Sequence, residues 1–328
     1  MPRTSESRIL SFGDRVASRV AERGSQLVLG LDPDPARLWP RAVELESGIG
    51  GPPGQHGAPG QPAPPTPPAV RAARAVAAHC RLVMDAVADE CVAVKFQVAC
   101  FERLGAPGWD ALSQAIQAAA ERGLLVIADA KRGDVDVTAR AYAQAFLGAT
   151  PTAFGEVPGL GADALTVNPL LGADSLAPFV ASARESGAGV FMLVRTSNPG
   201  AADVQELLLA QWGSVSERLA AMADELGAPS VGDAGLADVG AVVGATAPDR
   251  LERLRDLMPH AIFLLPGVGA QGGKVEDLAA AFTPGRAGGL VSASRGIVAA
   301  HERNGGDPAT AARREASRLR EIAWKLSG

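Results

Sequence analysis

Eight short apolar runs recur along the chain, with amphipathic stretches between them. They occupy 27–32 (LVLGLD), 91–97 (CVAVKFQ), 124–131 (LLVIADAK), 164–169 (ALTVNP), 189–197 (GVFMLVRTS), 240–245 (GAVVGA), 261–269 (AIFLLPGVG) and 288–296 (GGLVSASRG). Each is rich in Val, Ile and Leu without polar alternation, the pattern of parallel strands covered on both faces. Among the intervening stretches, 69–90 keeps a helical period, 109–123 stops at Gly123, and 248–259 opens with a proline suited to a first helical position. Further helices are predicted near 8–23, ahead of the first strand, and near 307–326, at the end of the chain. This order predicts an α/β protein folded as a (β/α)8 TIM barrel. A doubly wound open sheet is the alternative, and no GxGxxG turn after the first strand and no P-loop supports it.

One stretch departs from the pattern. Residues 46–68 (ESGIGGPPGQHGAPGQPAPPTPP) are mostly glycine and proline. Such a composition buries too little to offset its ordering entropy, so the stretch reads as a flexible insertion. The same strand–helix alternation continues on both sides, which predicts one barrel domain over 1–328.

Composition narrows the partners. Hydrophobic residues make up 47% of the chain, enough for a sizeable core, and the formal charge is −5. An acidic balance argues against nucleic acid or an anionic membrane as the main partner. An anionic ligand must therefore meet a local cationic site. Cys80, Cys91 and Cys100 form neither a CxxC pair nor an even framework, and read as reduced thiols of a cytoplasmic protein. The N-terminal MPRTSESRILSFGDRV lacks an apolar signal core, and no run approaches the ~18 apolar residues of a membrane span.

Lysine is scarce: Lys95, Lys131, Lys274 and Lys325 stand against 27 arginines. Two of the four lie inside apolar runs, where an unpaired charge is costly. Active sites of barrels form where strands end. Asp32 ends the first strand, Lys95 and Gln97 the second, and Asp129-Ala-Lys131-Arg-Gly-Asp134 the third. Asp129 and Lys131 are two apart, which on a regular strand puts them on one face. With Asp32, Lys95 and Asp134 they suggest an alternating array in which each opposite neighbour favours ionisation. A structural ion pair would explain Asp32 alone; the cluster of Asp129, Lys131 and Asp134 points to function.

After strand seven, Pro266-Gly-Val-Gly-Ala-Gln-Gly-Gly273 has glycines enough for backbone N–H groups to approach a ligand, and Arg295 follows strand eight. Loops after the last two strands are where this fold commonly binds phosphate. His56, His79, His260 and His301 end no strand, and the HExxH and GxSxG patterns are absent. Lysine and carboxylates are left to do the chemistry.

These residues resemble the orotidine 5′-phosphate decarboxylase family. DAKRGD at 129–134 is similar to its DxKxxD signature, in the form carried by a longer bacterial branch. Asp32, Lys95, Thr138, Ser197-Asn-Pro-Gly, PGVGAQGG and Arg295 follow in the family's order, across 27–296. The resemblance implies decarboxylation of orotidine 5′-phosphate to uridine 5′-phosphate, without metal or other cofactor. It implies that Lys131 protonates C6, that Asp129 and Asp134 hold Lys131, and that Asp134 and Thr138 reach across a homodimer interface. It further implies that Asp32 and Lys95 contact the ribose and that Ser197 meets the pyrimidine edge. Gln271 would link base and phosphate, and Arg295, with the Gly269 loop, would bind the phosphate. The short branch usually has histidine at the position of Asn198, and no role attaches to 33–68.

Three other readings compete. A Mg²⁺-dependent sugar-phosphate lyase of the same superfamily, such as a 3-keto-gulonate phosphate decarboxylase, usually carries a glutamate just after strand one, where this chain has Asp32-Pro-Asp34. A Schiff-base aldolase needs a lysine with a lowered pKa, which flanking carboxylates oppose. A non-catalytic phosphate-binding barrel has no use for an intact Asp129, Lys131 and Asp134.

Overall fold

The computed structural model describes residues 10–48, 65–269 and 271–328. Eight parallel strands close into a barrel: β1 (Leu27–Leu31), β2 (Ala93–Gln97), β3 (Leu125–Arg132), β4 (Ala164–Val167), β5 (Gly189–Arg195), β6 (Val239–Val243), β7 (Phe263–Leu265) and β8 (Gly289–Ala293). Each strand pairs with its neighbours in sequence, and β1 closes on β8 with Leu27 opposite Val291. Closure removes the open-sheet alternative, and every predicted strand is present within a few residues of its expected bounds.

Helix boundaries follow local chemistry. The helix Phe12–Arg23 starts where Ser11 Oγ accepts the Asp14 N–H at 3.1 Å and ends at Gly24, whose φ of 56° is the left-handed turn glycine adopts freely. Helices Pro68–Val87, Ala106–Glu121, Pro248–Leu257 and Pro308–Leu326 fall on the other predicted stretches. Three more, Asp136–Phe146, Ala173–Ser186 and Val215–Gly227, were implied only by the spacing between strands. The first and third bury mostly small residues (Ala139 and Ala143; Ser216, Ala220, Ala223 and Gly227), and Pro178 interrupts the second, so their helical signal is faint in sequence. Antiparallel hairpins pairing 149–152 with 155–158 and 208–209 with 212–214 are additions to the expected pattern.

Most of the Gly/Pro-rich stretch, 49–64, lies outside the described residues. At its near edge the helix Pro40–Gly48 continues through 46–48 and buries Glu46 beside Arg71, so packed structure extends into the predicted insertion. Among the described residues no helix is long and apolar enough to cross a membrane.

Strand parity places the site. Leu27, Leu29 and Leu31 of β1 pack outward with Val94, Phe96, Val126 and Ala128, against the helices. Val28, Ala93, Leu125, Ile127 and Phe191 fill the interior, where Phe12 meets Phe191 edge-on at 5.9 Å and plugs the N-terminal end. Moving two residues along β2 from Ala93, or along β3 from Ile127, reaches Lys95 and Asp129. The apolar runs thus hide two faces, and Lys95 and Asp129 bring charge into the inward layer nearest the C-terminal mouth.

Candidate active site

At that mouth lies a cavity of about 400 Å³. Its wall on the β2–β3 side is charged and polar: Lys95, Gln97, Asp129 and Lys131. Across from it, Leu193, Val242 and Leu264 form an apolar surface from β5, β6 and β7. A flat ring with one reactive edge fits such a divided pocket.

Asp129 is the hub. Its Oδ2 accepts from Lys95 Nζ at 2.6 Å and from Gln97 Nε2 at 3.3 Å. Its Oδ1 accepts from Lys131 Nζ at 2.6 Å and from the Thr166 hydroxyl at 2.9 Å. Burial alone would raise the pKa of this carboxyl, but the Lys95 and Lys131 ammonium groups overrule it and hold Asp129 well below the usual carboxylate range. For Lys95, burial opposes charge, yet Asp129 and then Asp32 raise its pKa above the ordinary lysine value. Lys95 and Asp129 are buried, whereas the Lys131 side chain is 43% exposed, so its ammonium faces the cavity.

The expected array is therefore realised from Asp32 to Lys131 and fails at Asp134. Asp32 lines the cavity and accepts a hydrogen bond from Ser294 Oγ at 2.7 Å. Asp134 turns away: its Oδ1 accepts the Val135 N–H at 2.8 Å, outside the cavity lining. Thr138 is exposed on the helix Asp136–Phe146, also outside the cavity.

Lys131 does not share a face with Asp129 through regular strand alternation. The pairing of β3 with β4 shifts between Ala128 and Arg132, and Lys131 has φ 51°. For a residue with a side chain this left-handed backbone costs about 1–2 kcal/mol. Lys131 and Asp136 are the two non-glycine residues with positive φ among those described, the first next to last in β3 and the second four residues beyond its end. Such strain clusters where function fixes geometry.

The cavity also carries a cation from the end of β8. Arg295 lines it and forms no ion pair among the described residues. Ser197, Asn198 and Gln271 also line the cavity. Gly267, at φ 99°, lines the cavity where an added Cβ would come within 3.1 Å of both Ser197 Cβ and Gln271 Oε1. Gly269 lies outside the lining, and its N–H donates to Gly273 O at 2.9 Å within the loop. Of the two, Gly267 lines the cavity and Gly269, the glycine expected from sequence, does not.

A family model described as "Orotidine 5'-phosphate decarboxylase / HUMPS family" matches residues 25–314. The chain belongs to this family. A curated orotidine 5′-phosphate decarboxylase of Haloarcula marismortui is 41% identical over 295 residues, covering 89% of this chain and 88% of its own. One from Deinococcus radiodurans is 49% identical over 216 residues, covering 66% of this chain and 74% of its own. The structure of Leishmania donovani OMP decarboxylase superposes with a TM-score of 0.66 at 31% identity, covering 97% of this chain and 99% of that one.

The structure adds Thr166, Ser292, Ser294 and Thr246 to the residues expected from sequence. Ser292 is buried on the inward face of β8, and Thr246 donates to Ser197 O at 3.1 Å. Parity was the available signal for Thr166 and Ser292, since both occupy the inward layer that carries Lys95 and Asp129. Among the described residues no three His, Cys, Asp or Glu side chains gather closely enough to hold a metal ion.

Proposed function

We propose that this protein converts orotidine 5′-phosphate to uridine 5′-phosphate and CO₂, the last step of UMP synthesis, with Lys131 as the proton donor and without metal or other cofactor. The observation that carries this reading is Asp129 clasped by Lys95 and Lys131 at a barrel mouth whose cavity is also lined by Arg295, free of any ion pair among the described residues. The curated relatives bear the name of the same activity.

The chemistry needs such an array. As the bond from C6 to the carboxylate breaks, CO₂ departs and the electron pair stays on C6. No cofactor is invoked to absorb it. The Lys131 ammonium, fixed by Asp129, stabilises that pair and then transfers a proton to C6, and solvent reprotonates the amine. Asp129 places fixed negative charge near the departing carboxylate, which favours its loss. Asp32 and Lys95 are assigned to the ribose, Ser197 to the pyrimidine edge, Gln271 to the link between base and phosphate, and Arg295 to the phosphate. Binding energy from a phosphate remote from C6 can be spent on closing the glycine-rich loop over the site.

The active unit in this reading is a homodimer. Asp134 and Thr138 lie outside their own cavity, flanked by Val135 at 51% and Val137 at 73% exposure. Both residues are assigned to the partner's site, with the exposed valines buried between subunits. The chain reads as one catalytic barrel domain acting in the cytoplasm. Its place in the longer bacterial branch rests on DAKRGD at 129–134.

A spectrophotometric assay of orotidine 5′-phosphate consumption, with chelator present, tests the proposal. Turnover that persists with chelator supports it. An inert protein refutes it, and activity restored only by Mg²⁺ points to the sugar-phosphate lyase chemistry instead.

A further inference from the structure

Where β3 meets β4 the ladder is irregular. Ala128 pairs with Leu165 and Arg132 with Val167, so Asp129, Ala130 and Lys131 stand opposite Thr166 alone. In an even parallel ladder a strand N–H finds a carbonyl on the adjacent strand, and surplus residues at a bulge lose that partner. Here the Lys131 N–H is taken by Thr166 Oγ1 at 2.9 Å. The hydroxyl's own hydrogen goes to Asp129 Oδ1 at 2.9 Å, the oxygen that also holds Lys131 Nζ at 2.6 Å.

One buried side chain therefore ties down the catalytic lysine twice. It satisfies the backbone of Lys131 in its left-handed conformation, at φ 51°. It also orients the carboxylate that fixes the lysine's ammonium. Thr166 is fully buried and lies behind the cavity lining, so it acts through these neighbours and not on a ligand. Valine would fill the same volume but leave the Lys131 N–H and Asp129 Oδ1 each short of one bond. A side chain needed only for packing has no reason to carry the hydroxyl.

We infer that Thr166 is a positioning residue for the decarboxylation: its hydroxyl locks the bulged end of β3 so that Lys131 Nζ is aimed into the cavity. The inference rests on the assignment of Lys131 as proton donor. Ground-state binding of the phosphate and ribose ends involves other residues, so the hydroxyl's loss should appear in kcat and not in KM. Misplacement of a reacting group by about 1 Å can cost ~10²-fold in rate.

The test compares T166V, T166S and K131A in the full-length protein, with thermal unfolding recorded for each. T166V is expected to lower kcat by roughly 10²-fold while KM for orotidine 5′-phosphate stays within about twofold. T166S, which keeps the hydroxyl, should recover most of the lost kcat. Should T166V fail to fold, T166A against T166S makes the same comparison. Unchanged kcat in T166V (or in T166A), with K131A inactive, overturns the role of Thr166 alone. Equal losses in the serine and hydroxyl-free variants overturn it too, because the methyl group and not the hydroxyl would then matter. Turnover by K131A overturns the proton-donor assignment itself.

Discussion

Lys95 Nζ lies 2.6 Å from Asp129 Oδ2 across the β2–β3 boundary, with the two side chains only 8% and 9% exposed. Removing one member of so enclosed a pair leaves a charge in a poor medium for it. Lys131 still reaches Asp129, so part of the compensation survives. The expected cost of K95M is therefore about 3 kcal/mol, at the low end for breaking a buried pair. Adding D129N to K95M removes the stranded charge and should recover much of the loss. Urea unfolding of the two single variants and the double variant measures the coupling directly. A K95M protein as stable as the parent would show that the pair carries no stability.

Lys131→Ala separates chemistry from binding. General acid catalysis alone contributes up to ~10⁴-fold, and here the same ammonium also stabilises the charge developing on C6. Turnover should fall at least that far. Arg295 and the apolar wall remain, so uridine 5′-phosphate should still bind in a calorimetric titration. Near-parental turnover would remove Lys131 from the reaction.

Arg295→Ala makes the converse split. A hydrogen bond to a charged group contributes about 1.5–3 kcal/mol, so KM should rise by roughly 10- to 100-fold. The dephosphorylated nucleoside provides the control, since it has no group for Arg295 to hold and should respond little to the substitution. An unchanged KM for the nucleotide would place the phosphate elsewhere.

How much of this was legible in sequence depends on the range of the interaction involved. The strands are readable because each is apolar on both faces, and the site is readable because Lys95 and Asp129 interrupt apolar runs at inward positions. The pairing of Asp129 and Lys131 was anticipated, but for a reason that the structure replaces. Regular alternation was expected, whereas a bulge and a left-handed lysine bring the two together. Register shifts depend on the neighbouring strand, and nothing local to 125–132 encodes them. Thr166 and Ser294 carry no signal of their own for the same reason: a lone hydroxyl is ordinary until its partner on the adjacent strand is known. Asp134 was read as part of the array from its spacing alone, and its own chain turns it toward Val135.

Away from the array, His79 links stability to pH. It is buried on the helix Pro68–Val87, and its Nδ1 accepts the Trp39 N–H at 3.1 Å. Burial first, and then the nearby His301, lower its pKa from 6.5 to about 4. An accepting Nδ1 agrees with a neutral ring, because protonation there would break the bond to Trp39. The unfolded chain then binds a proton near pH 6.5 that the folded chain refuses until about pH 4. Stability from this group is thus complete above pH 6.5 and is lost progressively as the pH falls toward 4. The shift corresponds to roughly 3 kcal/mol. In H79N the amide oxygen can accept from Trp39 and the side chain has no proton to gain. Urea midpoints between pH 7 and 4 should fall more steeply for the parent than for H79N, with carboxylate contributions common to both. Parallel curves would mean that His79 is protonated equally in the folded and unfolded chains.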